Sequence, residues 1–252
     1  MSISPAAINE RIAHVRERIA EAARRGGRDP SDVLLVAVTK THGLPVIEAA
    51  CRAGLRHFGE NRVEEARDKI AEARVRLPPD VTWHMVGHIQ SRKTASVAAL
   101  FEWVHSIDRL KIARRLSHAA GEAGRSLDAL LEVNLSGEET KYGYDLSRWP
   151  DDESQAEGFF SEVQEMLGLP ALRLHGLMTV APFTDDPETV RPIFRRMRLL
   201  RDALRERFPA HPWPHLSMGM SADYEVAIEE GATIVRLGTA LFGPREYGPP
   251  LR

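Results

Sequence analysis

The stretch "LLVAVTKTHG" (residues 34–43) decides how the fold is read. An unbroken apolar run from Leu34 to Val38 passes through Thr39 to a lysine, Lys40. Such a run marks a strand buried on both faces, as in a parallel sheet. Working outward, short strand-like runs recur at "RHFGE" (56–60), "TWHMVG" (82–87), "WVHSI" (103–107), "ALLEVNL" (129–135), "RLHGLM" (173–178), "HLSMG" (215–219) and "TIVRLG" (233–238). Those at 56–60 and 82–87 carry the weakest signal, because each is short and polar. Helical spacing fills the intervals, as at Val190, Ile193, Phe194, Met197, Leu200 and Leu204.

Strict alternation of strand and helix implies parallel neighbours joined by crossovers. Eight such units in 252 residues predict an α/β fold, a single (β/α)8 TIM barrel, with an open doubly wound sheet as the alternative. Ahead of the first unit, Ile8, Ile12, Val15 and Ile19 predict an extra N-terminal amphipathic helix over 5–25. Ser4 would cap it, Pro5 suits its first position and Gly26-Gly27 ends it. No linker or low-complexity tract divides the chain, so residues 1–252 are expected to form one domain. The polar "SGEETKYGYDLSRWPDDESQ" (136–155) reads as a long, mobile loop after the fifth strand.

Composition narrows the function. The hydrophobic share is 43% and the net charge −2, which argues against a global basic field for nucleic acid or membrane surfaces. The single cysteine, Cys51, lies on an apolar-periodic segment and reads as a buried structural thiol. No signal peptide or membrane-length apolar run is visible, so a cytoplasmic protein is expected. His84 and His88 have the spacing of a helical metal pair, but they bracket a strand-to-loop junction where that spacing shares no face; no metal is expected. The arginine-rich "RPIFRRMRLLRDALRER" reads as a solvated helix face.

In a parallel barrel the active site lies at the strand C-termini. There the sequence places "TKTH" (39–42), "GEN" (59–61), "SMGMS" (217–221) and "RLGT" (236–239). Lys40 fits either a solvated rim residue or an amine that forms Schiff bases. Ser221 is expected to cap the following helix, whose N-terminus suits an anion, and Gly238 with Thr239 can offer N–H groups and a hydroxyl. The loops after strands seven and eight are frequent phosphate sites in barrels. An amine beside such loops suggests a phosphorylated aldehyde.

The segments "AVTKTH", "HFGENRVEEARDKI", "WHMVGHIQSRK", "SIDRLKIARRL", "VNLSGEETKYGY" and "LSMGMSADYEVAIEEGATIVRLGTALFG" resemble, in order and over nearly the whole chain, the YggS/PROSC family of pyridoxal phosphate homeostasis proteins. That family is similar in fold to the barrel domain of alanine racemases and holds pyridoxal 5′-phosphate (PLP) as a lysine aldimine. The resemblance implies that Lys40 carries PLP and that Ser221, Gly238 and Thr239 surround its phosphate. It implies Arg236 beside the pyridine nitrogen, Asn61 and Met178 lining the pocket, and Ser217 as a further phosphate contact. Such proteins commonly carry a second lysine two residues after the first, but here that residue is His42; Lys141 matches another lysine of the family. In the racemases an opposing tyrosine comes from an additional C-terminal domain, and the tyrosines at 142, 144, 224 and 247 match no such motif.

The resulting expectation is a non-catalytic protein that binds PLP and delivers it to apo PLP-dependent enzymes, and a monomer. A low-activity PLP-dependent racemase or lyase is the alternative. A Schiff-base aldolase acting on phosphosugars would use the same amine and loops differently.

Overall fold

The computed structural model describes residues 3–244. Helix α1 (Pro5–Arg25) has the predicted bounds, with the Ser4 hydroxyl accepting from the Ala7 N–H at 3.2 Å. Ile8, Ile12, Val15 and Ile19 are all buried on its inner face. The body alternates β1 (Leu34–Val38), α2 (Leu44–Arg52), β2 (His57–Glu60), α3 (Val63–Arg76), β3 (Thr82–Met85), α4 (Thr94–Leu100), β4 (Trp103–Ile107), α5 (Leu110–Glu122) and β5 (Leu127–Asn134). It continues through β6 (Tyr144–Asp145), α6 (Glu157–Leu167), β7 (Leu172–Met178), α7 (Arg191–Arg207), β8 (His215–Ser217), α8 (Tyr224–Glu229), β9 (Ile234–Leu237) and α9 (Thr239–Phe242).

Eight of these strands pair in parallel and close on themselves, β9 beside β1 and β4 beside β5, forming the expected (β/α)8 barrel. The short β6 lies outside that cycle and pairs only with the end of β5. Strand alternation sorts side chains into two layers. Ala37, Phe58, Val235 and Leu237 join the large core between barrel and helices, whereas Val36, Leu130, Met178 and Ile234 form a small apolar cluster of their own. Val36 pairs in register with Arg236, so this arginine shares the inward face. Among the described residues, no helix is long and apolar enough to cross a membrane.

The stretch 136–155 departs from the expected mobile loop. Leu146 and Trp149 are buried, and the Arg196 guanidinium donates to the carbonyls of Leu135 and Leu146 at 3.2 and 3.4 Å and to those of Ser147 and Trp149. One buried-side cation thus gathers four carbonyls, and charge-assisted bonds of this kind hold a polar segment in place.

Candidate functional site at the barrel mouth

Lys40 is half-buried in the turn that leaves β1. Val38, two residues before it, pairs with Gly59 of β2, and the Val38 carbonyl lies beside Gly238 at the end of β9. The amine therefore rises between the β2 and β9 termini. The turn is fixed by groups that sequence reading missed. Glu60 is fully buried and accepts from the Thr39 hydroxyl at 2.7 Å and from Lys69 Nζ at 2.8 Å. Lys69 also donates to the Thr39 carbonyl at 3.0 Å, and Glu65 accepts from the Thr41 N–H at 2.5 Å. These bonds hold Thr41 at φ 70°, a left-handed backbone that a β-branched residue seldom adopts. The only sequence signal was the Glu65–Lys69 spacing of four along α3.

Two turns lie on the Lys40 side of the mouth, that of β9 directly beside the end of β1 and that of β8 next to it. Ser221 does not cap α8 as expected: Asp223 occupies the N-cap position, and its carboxylate accepts from the Met220 N–H at 2.6 Å. The Ser221 hydroxyl instead accepts from the Ala240 N–H at 3.1 Å, tying the β8 turn to the β9 turn. Among the described residues, no turn carbonyl accepts from the N–H groups of Ser221, Ala222, Gly238 or Thr239. Gly219, at φ +94°, allows the close approach; a Cβ there would lie 2.7 Å from Ala227 Cβ and 2.8 Å from Tyr224 Cα.

Arg236 is 5% exposed and points into the barrel, donating to Ser217 Oγ at 2.6 Å and to the Thr179 carbonyl at 2.9 Å. Burial lowers its pKa to about 10, with Glu132 and Asp223 opposing the fall, so it stays cationic at neutral pH. Ser217, expected as a further phosphate contact, is fully buried and bonded to Arg236 and His105. Met178 is also buried, packed with Val36, Leu130 and Ile234 within the barrel. Asn61 is partly exposed at the rim, its backbone pressed against Gly87, where a Cβ would come within 2.3 Å of the Asn61 carbonyl oxygen.

Glu132 enters the opposite wall on β5. It is 8% exposed, its Oε2 has no hydrogen-bond partner among the described residues, and burial, with Asp108 nearby, lifts its pKa to about 7. Together with Asn134, Thr140, Lys141, Tyr142 and Val180 it lines a cavity of about 190 Å³. Lys141 is tied to Glu138, and Tyr142 stacks on His88 with ring centroids 3.6 Å apart. Tyr144 points elsewhere, its hydroxyl donating to Glu162 at 2.6 Å; Tyr247 lies outside the described residues. His84 and His88 part company: His84 enters the barrel interior, and His88 faces Asp108 at 3.2 Å.

An amine, two linked turns with N–H groups to offer and a buried cation thus converge on one mouth. The donor set suits a phosphate monoester carrying an aldehyde and a ring acceptor. Residues 6–246 match the family model "Alanine racemase, N-terminal domain". Pyridoxal phosphate homeostasis proteins of Pseudomonas aeruginosa and Escherichia coli are 45% and 40% identical over 243 residues, covering 96% and 95% of this chain and 98% and 97% of theirs. The chain belongs to the pyridoxal phosphate homeostasis protein family. Within it, the solved structure of PipY from Synechococcus elongatus with PLP bound is 37% identical, covers 94% of this chain and 100% of PipY, and superposes with a TM-score of 0.78. The alanine racemase of Streptomyces coelicolor shares the barrel (TM-score 0.72, 19% identity), with 96% of this chain matching 59% of the racemase.

Proposed function

We propose that this chain binds PLP at the barrel mouth through Lys40 and takes part in PLP homeostasis by passing the cofactor to apo PLP-dependent enzymes. The observation that carries the reading is the placement of Lys40 after β1, beside the Gly238–Thr239 turn of β9 that Ser221 ties to the β8 turn, with the buried Arg236 of β9 facing the barrel interior. The PLP-bound PipY structure and the names of the relatives support it. The Lys40 amine is the group that takes the aldehyde, the N–H groups of the two turns hold the phosphate dianion, and Arg236 meets the ring nitrogen.

Bound PLP supplies an electron sink, and that sink is strongest when its ring nitrogen carries a proton. A guanidinium held cationic at that nitrogen disfavours the proton. Racemisation further needs an acid–base group on each face of the substrate, yet the Tyr144 hydroxyl is committed to Glu162 and the Tyr142 ring is stacked on His88. Both features favour a carrier over a catalyst.

Borohydride reduction of the protein with PLP, followed by peptide mapping, is expected to label the peptide containing Lys40. Labelling chiefly at Lys141 or Lys93 would refute the site. Mixing the loaded protein with an apo PLP enzyme is expected to restore that enzyme's activity, with no turnover of amino acids by the carrier alone. Sustained racemisation or elimination that disappears in Lys40→Ala would establish an enzyme instead.

A further inference from the structure

The barrel interior holds a row of polar side chains that the mouth chemistry does not use. His57 Nδ1 lies 3.0 Å from His84 Nε2, His84 Nδ1 lies 3.0 Å from His105 Nε2, and His105 Nδ1 lies 2.9 Å from Ser217 Oγ. The row ends on Arg236, whose NH1 donates to the same Ser217 oxygen at 2.6 Å. His84, His105 and Ser217 are essentially without solvent contact; His57 is half-buried, on the wall of a separate cavity of about 390 Å³ that Arg16, Ile19 and Leu34 also line. Trp103 stacks on His84 with centroids 5.8 Å apart and an interplanar angle of 23°, which fixes the middle ring.

The direction of every bond follows from one end. A guanidinium only donates, so Ser217 Oγ accepts from Arg236. Among the described residues the serine proton then has one partner, His105 Nδ1, and that nitrogen must be the acceptor. His105 therefore carries its proton on Nε2 and gives it to His84 Nδ1. By the same step His84 donates from Nε2 to His57 Nδ1. Each donor between the fully buried Ser217, His105 and His84 and the half-buried His57 meets one acceptor, which is the condition for a tolerable buried polar chain. The opposite direction would leave the serine proton in the barrel interior without an acceptor. Burial holds both inner imidazoles well below their ordinary pKa, helped for His105 by His84 and the Arg236 charge, so both are neutral.

We propose that Ser217, His105, His84 and His57 are positioning residues: a one-directional relay, all Nε2–H, that clamps Arg236 from beneath and leaves its remaining N–H groups for the ligand ring. The Thr179 carbonyl clamps the other terminal nitrogen at 2.9 Å. The role toward the ring rests on the PLP reading above, whereas the tautomer pattern does not.

Two measurements separate these. In ligand-free protein carrying ¹⁵N-labelled histidine, long-range ¹H–¹⁵N correlations at neutral pH are expected to show His57, His84 and His105 protonated at Nε2 and bare at Nδ1. A proton on His105 Nδ1 would overturn the relay. In His84→Phe, which keeps an aromatic ring against Trp103, Ser217 still directs His105, which is expected to stay protonated at Nε2, whereas His57 loses its donor and is expected to become a tautomer mixture; a His105 proton moved to Nδ1 would also overturn it.

Calorimetry with 4-deoxypyridoxine 5′-phosphate, which has ring and phosphate but no aldehyde, then reads the clamp. Ser217→Ala is expected to weaken it roughly tenfold, the size of one lost charge-assisted bond. Affinity for inorganic phosphate is expected to stay within about twofold, because the turns that hold it are separate from the clamp. Equal loss of both ligands, or loss of neither, would overturn the positioning role. If the parent protein takes up no deoxypyridoxine phosphate, the PLP reading falls and the tautomers alone decide the relay.

Discussion

Replacing Glu132 by Gln is expected to stabilise this protein at alkaline pH and to leave it unchanged at acid pH. The side chain is 8% exposed and Oε2 has no partner, so ionising it means removing a carboxylate from water with little in return. Burial first, and then the neighbouring Asp108, raise its pKa from 4.5 to about 7, although Arg236 pulls the other way. The sign follows from proton counts. Between the unfolded and folded values the folded state binds more protons, so stability is greatest below the unfolded pKa and is lost as pH rises through the folded one. A gap of about 2.5 units corresponds to ~3 kcal/mol by pH 8. Glutamine mimics the protonated acid and escapes this cost. The assay is chemical denaturation of ligand-free Glu132→Gln and parent protein at intervals from pH 4.5 to 8.5. The difference in unfolding free energy is expected to be near zero at the acid end and to grow to ~3 kcal/mol in favour of the variant, roughly 5–10 °C in melting temperature. A difference that does not vary with pH, or a variant less stable at pH 8, would refute the reasoning.

Asp128 titrates in the opposite sense. Burial raises its pKa, but hydrogen bonds from His175 and then Arg173 win and bring it from 3.8 to about 2. Asp128→Asn is therefore expected to cost on the order of 2 kcal/mol at neutral pH, the deficit shrinking as pH falls from about 4 through 2, as read by paired denaturation curves. Gly219→Ala places a methyl group against Ala227 and Tyr224 at φ +94° and is expected to cost more than about 1 kcal/mol and to weaken inorganic phosphate binding in calorimetry. Arg196→Ala removes the donor shared by four carbonyls and is expected to speed proteolytic nicking within residues 136–150; an unchanged cleavage rate would show that the buried Leu146 and Trp149 suffice.

The fold was legible because its signal is local and repeated. Strand bounds at 103–107 and helix bounds at 5–25 match the sequence pattern to the residue, since apolar runs and cap residues report directly on short-range geometry. Even the short, polar runs at 56–60 and 82–87 are strands, His57–Glu60 and Thr82–Met85. Their polarity has a cause that was not legible: they contribute His57 and His84 to the barrel interior. Sequence spacing paired His84 with His88, whereas register across strands brings it to His57 and His105. Ser221 illustrates the same limit. Its chemistry as a capping hydroxyl was sound, but the N–H it meets belongs to Ala240, 19 residues on in sequence and adjacent in space.

These polar groups fall into two kinds. Barrel interiors are ordinarily packed by branched apolar side chains, and here Val36, Leu130, Met178 and Ile234 supply only part of that filling. Within the relay from His57 to Arg236 each inner donor meets an acceptor, and such a chain adds rigidity beneath the guanidinium. Glu132 Oε2 and Asp108 Oδ1, on the other wall, are buried without hydrogen-bond partners among the described residues. An unpaired buried carboxyl costs stability in the free protein, and it is at binding sites that such a cost is repaid by a ligand. The matched groups therefore belong to the scaffold that aims Arg236. The unmatched ones are where ionisation costs this fold most, and Glu132→Gln removes that cost at one of them.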